Sequence, residues 1–259
     1  MSDLEIEADR EKYIASNKDP RFTMDRKYDL ICKGDKYANN GGGLDVQYFI
    51  QDIWGARKVF ERKPLVHYDV GSSLSGFVAH LLSFKQKVVV IDVRSFPDVL
   101  NSKFLNCENQ SGVEYITADA TNMDNISSNS IESLSALCSI EHFGLGRYGD
   151  PINPSAWEEA LKSFSRVIMR GGGLYLSVPV GRTNKLCFNA HRVYHPDTII
   201  QTLATEGFEI LEFSYIYGFD TAVCLKNIEG KIYINQNNLN QIPEYQNWGL
   251  TGLFEFRKL

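Results

Sequence analysis

The chain lacks long apolar runs, paired cysteines and any surplus of positive charge, and each absence removes a class of function. No stretch approaches the ~18–20 consecutive apolar residues of a membrane-spanning helix, so no span is expected. The five cysteines (Cys32, Cys107, Cys138, Cys187 and Cys224) are scattered, with no metal-ligand or redox-motif spacing. That pattern suits reduced thiols in a cytoplasmic protein better than a disulfide framework. Lysine and arginine total 27 against 32 aspartates and glutamates, a net charge of -5. The balance argues against a general nucleic-acid binder, though not against a local basic pocket. The start, MSDLEIEADREKY, is acidic and has no apolar h-region, so no secretory leader is expected. Internal repeats and low-complexity segments are also missing. A soluble cytoplasmic protein with one full-sized domain is the expectation.

Two regions can be separated by pattern. Residues 1–43 are a polar, irregular N-terminal extension ending in YANNGGG, a flexible joint by composition. Residues 44–259 begin with LDVQYFIQDIWGARKVFER, where Val46, Phe49, Ile50, Ile53, Trp54 and Val59 recur at helical spacing. From about residue 65 to about 210, short apolar strands alternate with helices. Strand-like stretches end at LVHYDV, KVVVIDV, VEYITAD, IESLSALCS and LYLSVPVG. PSAWEEALKSFSRVIMRGGG reads as a helix opened by a capping box of Ser155 and Glu158, and HPDTIIQTLATEGF as a helix with Pro196 in its first turn. A β-rich tail follows. The expected class is α/β, a Rossmann-like doubly wound, mostly parallel sheet of about seven strands with an N-terminal helical extension.

Ligands of such sheets bind beyond the carboxyl ends of the strands, so the first strand-to-helix turn, DVGSSLSG, is the place to look. Asp69 ends the strand, Gly71 permits a tight turn, and Ser72, Ser73 and Ser75 let a ligand approach the backbone. Asp92 ends the second strand about twenty residues on, where a carboxylate can accept from both ribose hydroxyls of NAD or S-adenosylmethionine (SAM). Asp119 ends the third and can receive an adenine amine.

These residues resemble class I SAM-dependent methyltransferases. CSIEHFGLGRYGDPINP, GGGLYLSVPVG and FNAHRVYHP add a closer resemblance, to the family catalogued as domain of unknown function 268. The resemblance covers roughly residues 65–215. It implies SAM as cofactor, held by Asp69, Gly71, Ser72 and Ser73 at the turn, Asp92 and Val93 at the ribose, Asp119 and Ala120 at the adenine, and Ser139. Ser73 and Ser75 depart from the family's turn, which has glycines at both places.

EHFGLGRYGDP contains a literal G-x-G-x-x-G, Gly144, Gly146 and Gly149, but a dinucleotide cradle must open directly into a helix. Here Pro151 and Pro154 follow first, so the match is a decoy inside a structured loop. That loop carries Glu141, His142, Arg147, Tyr148 and Asp150, and the loop after the fifth strand carries Asn189, His191, Arg192 and His195. An alcohol acceptor needs a base, so the expected catalytic set is His142 or His191 with Asp150 or Glu141 as partner. Arg147, Tyr148, Asn189 and Arg192 are the expected acceptor contacts. The polar loops, lacking an aromatic cage, suggest O-methylation of a small anionic acceptor such as a sugar nucleotide or phosphorylated sugar in polysaccharide biosynthesis. Plainer readings stay open: His195 as a helix N-cap, Asp150 as a turn cap, the arginines as solvated charge. A metal held by Asp150, His191 and His142 has no recognised ligand spacing, so none is expected. A methyltransferase-fold binding protein without chemistry and a nicotinamide-dependent oxidoreductase are the alternatives, and the N-terminal segment reads equally as a lid over the cofactor or as a homodimer contact.

Overall fold

The computed structural model describes residues 1–20, 24–37, 44–94 and 112–259. Residues 38–43 of the expected joint and Cys107 lie outside the described residues. The chain divides into two compact units, Met1–Asp45 and Val46–Leu259.

In the first unit, α1 (Asp3–Ser16) begins with a reciprocal capping box between Ser2 and Glu5 and buries none of its residues. Its sequence reads as irregular because a helix held by caps and ion pairs shows no apolar stripe. Arg10 supplies two such pairs, 3.2 Å from Glu7 and 2.5 Å from Asp29.

The second unit opens with α2 (Val46–Arg62). It continues through β1 (His67–Val70), a wide helical turn at Leu74–Val78, α3 (Ala79–Ser83), β2 (Val88–Asp92), β3 (Val113–Thr117) and β4 (Ile131–Leu137). Next come α4 (Ala156–Val167), β5 (Ile168–Val180), a hairpin of β6 (Lys185–Cys187) and β7 (His191–Val193), and α5 (Pro196–Thr205). β8 (Phe208–Tyr217), β9 (Asp220–Ile228), β10 (Lys231–Ile234), α6 (Gln236–Asn240) and β11 (Leu250–Lys258) complete it. The main sheet has nine strands in the order β10-β9-β8-β11-β5-β4-β1-β2-β3, parallel from β5 to β3. The excess over the expected seven has two sources. In the β-rich tail, AVCLKNIEGKIYIN folds back at Glu229–Gly230 into β9 and β10, and β11 inserts antiparallel between β5 and β8.

Alternation along each strand feeds two cores. On β5, Leu174, Leu176 and Val178 meet Leu161 and Phe164 of α4 and Ile199 and Leu203 of α5. Tyr175, between them in sequence, turns to the other face and packs with Trp54 and Val59 of α2 and Phe77 and Leu81. Helices therefore cover both faces, as near-continuous apolar strands require. Among the described residues no helix is long and apolar enough to cross a membrane. Strand order reverses between β1 and β4, so the crevice at their carboxyl ends opens beside Val70 and Leu137.

Candidate active site

At that crevice lies a cavity of about 360 Å³ lined by Gly71, Asp92, Val93, Arg94, Asp119, Ala120, Ser139, His142, Tyr148 and Asp150, among others. The volume is within the range of small-molecule sites.

The first turn is built from below. Gly71 has φ +78°, and a Cβ there would sit 3.3 Å from Cβ of Ser139, so side chains are excluded where β1 meets the loop after β4. Asp69 is fully buried and accepts from the Ser72 amide at 3.0 Å, Ser72 Oγ at 2.8 Å and Ser135 Oγ at 2.5 Å. Burial pushes its carboxyl up to about 6, against those three bonds. Asp69, Ser72 and Ser73 do not line the cavity. They were expected to touch the cofactor; Asp69 and Ser72 instead shape the turn, because their polar atoms are spent on each other.

Asp92 and Asp119 differ in what they leave open. Asp119 Oδ1 takes the amide and hydroxyl of Thr121 at 2.9 and 2.7 Å, and its second oxygen has no partner among the described residues. Asp92 is gripped by Arg94, which sends Nε and Nη2 to its two oxygens at 2.9 and 2.7 Å. Burial raises the Asp92 carboxyl, the Arg94 bonds lower it, and the bonds win. Arg94 is 58% exposed and Asp92 10%, so the arginine side of the fork can swing into water while the carboxylate stays in the crevice. Sequence reading missed Arg94; its signal was an arginine two residues beyond a strand-end acid.

Past β4 the chain turns at Cys138, whose φ is +48°, held by its amide bonding to the carbonyl and hydroxyl of Ser177 on β5. Ser139 follows; the residue lines the cavity, and its Oγ is buried without a hydrogen-bond partner among the described residues. His142 Nδ1 lies 2.6 Å from the carbonyl of Ala190. A carbonyl only accepts, so Nδ1 carries the hydrogen and Nε2 is a lone pair. Burial holds the ring below its ordinary 6.5 although the Ala190 bond raises it, so it is neutral at pH 7.

The expected partners of this histidine are corrected. Asp150 accepts from the amides of Gly144, Tyr148 and Gly146 at 2.7, 3.2 and 3.4 Å, which staples the loop; it acts on the ring only through its charge, which raises the ring's pKa. Glu141 is buried, its Oε1 lies 3.7 Å from His142 Nε2, and its Oε2 has no partner. At that distance no hydrogen bond forms; the Ala190 carbonyl orients the ring instead. Burial pushes the Glu141 carboxyl up to about 8. His191 sits in β7 against Trp248, ring centroids 5.5 Å apart, and outside the cavity lining.

Arg192 also changes role. It donates to the carbonyls of Phe143, Pro154 and Glu141 at 2.7, 3.3 and 3.4 Å, locking the loop rather than waiting for an acceptor. Asn189 is exposed and outside the lining. Arg147 reaches Ala190 at 3.1 Å, and its guanidinium and that of Arg94 each stand 5.1 Å from the Tyr148 ring. The capping box expected at Ser155 does not form. Asn153 takes its place, accepting from the Ser155 amide at 3.0 Å and donating to Glu159 at 2.8 Å. His195 caps α5 through Nδ1, 3.2 Å from the Asp197 amide. Among the described residues no three His, Cys, Asp or Glu side chains gather as a metal site.

The profile of the family described as Caenorhabditis protein of unknown function, DUF268, matches residues 108–239. No curated protein sequence matches the chain. Among solved structures, the 1,6-didemethyltoxoflavin-N1-methyltransferase of Burkholderia thailandensis, bound to 1,6-didemethyltoxoflavin and S-adenosylhomocysteine, is similar with a TM-score of 0.53 at 13% identity, over 100% of this chain and 91% of that one. The (4+2)-cyclase SpnF gives 0.53 at 14% identity, over 80% of each chain. The YcgJ protein of Bacillus subtilis gives 0.51 at 12% identity, over 80% of this chain and 97% of that one. Likeness at such low identity establishes the fold, that of the class I SAM-dependent methyltransferases.

Proposed function

The chain belongs to the family described as Caenorhabditis protein of unknown function, DUF268, and from that premise and its fold we propose that it moves a methyl group from SAM to a hydroxyl of a small anionic acceptor. One observation carries the reading: His142 lines the cavity with Nδ1 spent on Ala190, so its remaining nitrogen is a base. The residues fit the cofactor. The carboxylates of Asp92 and Asp119 suit ribose and adenine, the bare backbone of Gly71 admits close approach, and the orphaned Ser139 Oγ awaits a polar partner.

When bound, SAM supplies an electrophilic methyl group on a sulfonium. The protein's own task is alignment, exclusion of water and removal of one proton. His142 Nε2 takes the hydroxyl proton as the new bond forms, and the Ala190 carbonyl stabilises the imidazolium that results. Arg94 in the cavity lining offers a guanidinium to a phosphate, and Arg147, outside that lining and tied to Ala190, adds its charge beside Tyr148, which supports a sugar nucleotide or phosphorylated sugar. SpnF, a cyclase by name, has the same fold, so another chemistry on this scaffold is the second reading.

Incubation with methyl-labelled SAM separates them. Label should pass to nucleotide-linked or phosphorylated sugars and not to the same sugars without phosphate. If SAM binds and neither charged class is labelled, the acceptor assignment is wrong.

A further inference from the structure

Behind the cofactor turn the sheet interior holds a chain of polar groups that the mechanism above does not use. His67 begins β1 and is fully buried. Its Nδ1 lies 2.8 Å from Ser133 Oγ and its Nε2 2.9 Å from Ser135 Oγ, both on β4. β1 and β4 pair in parallel with Asp69 opposite Ser135, and residues two apart share a face, so the four side chains form one row. Ser135 Oγ donates to Asp69 Oδ1 at 2.5 Å, and Asp69 in turn receives the amide and hydroxyl of Ser72.

The direction of every bond follows. A hydroxyl has one hydrogen, and that of Ser135 goes to Asp69. Ser135 can therefore only accept from His67, so Nε2 carries the ring hydrogen. A neutral imidazole has one such hydrogen, so Nδ1 accepts and Ser133 donates to it.

We propose that His67, Ser133 and Ser135 form a positioning relay that aims the Asp69 carboxylate at Ser72 and so holds the cofactor turn in its binding shape. The proposal rests on the cofactor reading given above. None of the three lines the cavity; they act only through Asp69.

The surroundings explain why a neutral relay is used. Burial, with Arg62 adding to it, drives the His67 ring down to about 3, so it cannot serve as a counter-ion. The charged group facing Asp69 is Asp52 of α2, which raises the Asp69 carboxyl further and lies against Gly76. Tyr115 of β3 is a further titratable neighbour and itself responds to Asp69. Against burial and Asp52, the Ser135 and Ser72 bonds hold the carboxylate down. Protonating Asp69 removes an acceptor from Ser72 and lets the relay reverse.

Two measurements test this. Nitrogen-15 shifts of histidine-labelled protein without cofactor should show His67 as the Nε2–H tautomer from pH 6.5 to 8; the Nδ1–H tautomer overturns the relay. S-adenosylhomocysteine affinity measured from pH 5 to 9 should weaken below about pH 6 in the wild type. Ser135→Ala removes a bond to a charged group, and its midpoint should move up by about one pH unit, while Ser135→Thr, which keeps the hydroxyl, should restore it. Binding whose midpoint does not move in Ser135→Ala overturns the relay and leaves the cofactor reading intact. No binding at any pH overturns the cofactor reading instead. If Ser135→Ala does not fold, the wild-type tautomer decides.

Discussion

Changing His142 to glutamine should leave affinity for S-adenosylhomocysteine within a few-fold of wild type and cut methyl transfer about 10²–10⁴-fold, the usual share of a positioned base. The expectation follows from hydrogen placement. Nδ1–H is committed to the Ala190 carbonyl at 2.6 Å, leaving Nε2 as the only basic atom of the ring. Glutamine can keep a donor toward Ala190 and has no comparable base. The wild-type ring titrates below 6.5 because burial outweighs the Ala190 bond. A base must be unprotonated, so at saturating SAM, where weaker cofactor binding at low pH does not limit the rate, the wild-type rate should be flat from pH 7 upward and fall only below 6.5, and the variant should lose that acid limb. Turnover of labelled SAM at pH 7.5 with the accepted sugar, repeated across pH, measures both. Wild-type turnover in the variant would remove His142 from the chemistry.

Glu141→Gln should change stability in a way that depends strongly on pH. The folded protein keeps the Glu141 proton up to about pH 8, whereas an ordinary glutamate loses it near 4.5. The folded state binds the proton more tightly, so its advantage is complete below 4.5 and shrinks as pH climbs through the window to 8. The slope is about 1.4 kcal/mol per pH unit. Glutamine never ionises and has no such slope. The variant should therefore gain on the wild type by on the order of 4 kcal/mol between pH 5 and pH 8. Asp69 also loses stability with rising pH, but it does so in both proteins and cancels from the difference. Urea unfolding at pH 5, 6.5 and 8 gives the comparison. Parallel curves would mean that Glu141 is ionised in the folded protein.

The scaffold was legible because its signals are local. Apolar runs ending in acids mark β1 to β3, and Gly171 to Gly173 with the strand after them mark β5. Alternation such as Leu174, Tyr175, Leu176 needs only neighbours in sequence to be read. The acids at 92 and 119, Gly71, Ser139 and His142 come to one cavity because each follows the carboxyl end of a parallel strand. The roles of individual polar groups were less legible, because they depend on which atom reaches which partner. Asp69 and Asp150 look like ligand contacts until their oxygens are found on Ser72 and on the amides of the loop. Arg192 looks like an acceptor contact until it is found on three carbonyls from a distant segment. The decoy G-x-G-x-x-G is explained by the same loop: Gly144 has φ +73°, and a Cβ there would strike the carbonyl of Asn153. Arg94 was passed over because a charge after a strand usually faces water, as Arg94 largely does; only its fork on Asp92 ties it to the site.

The most direct measurement is calorimetric titration with S-adenosylhomocysteine of the wild type and of Asp92→Ala, with NAD in parallel. One-to-one binding of S-adenosylhomocysteine, weakened about 100-fold or more by loss of the ribose carboxylate, with no binding of NAD, is the predicted result. Absence of binding to the wild type, or equal binding to both proteins, would contradict the assignment of this cavity to the cofactor.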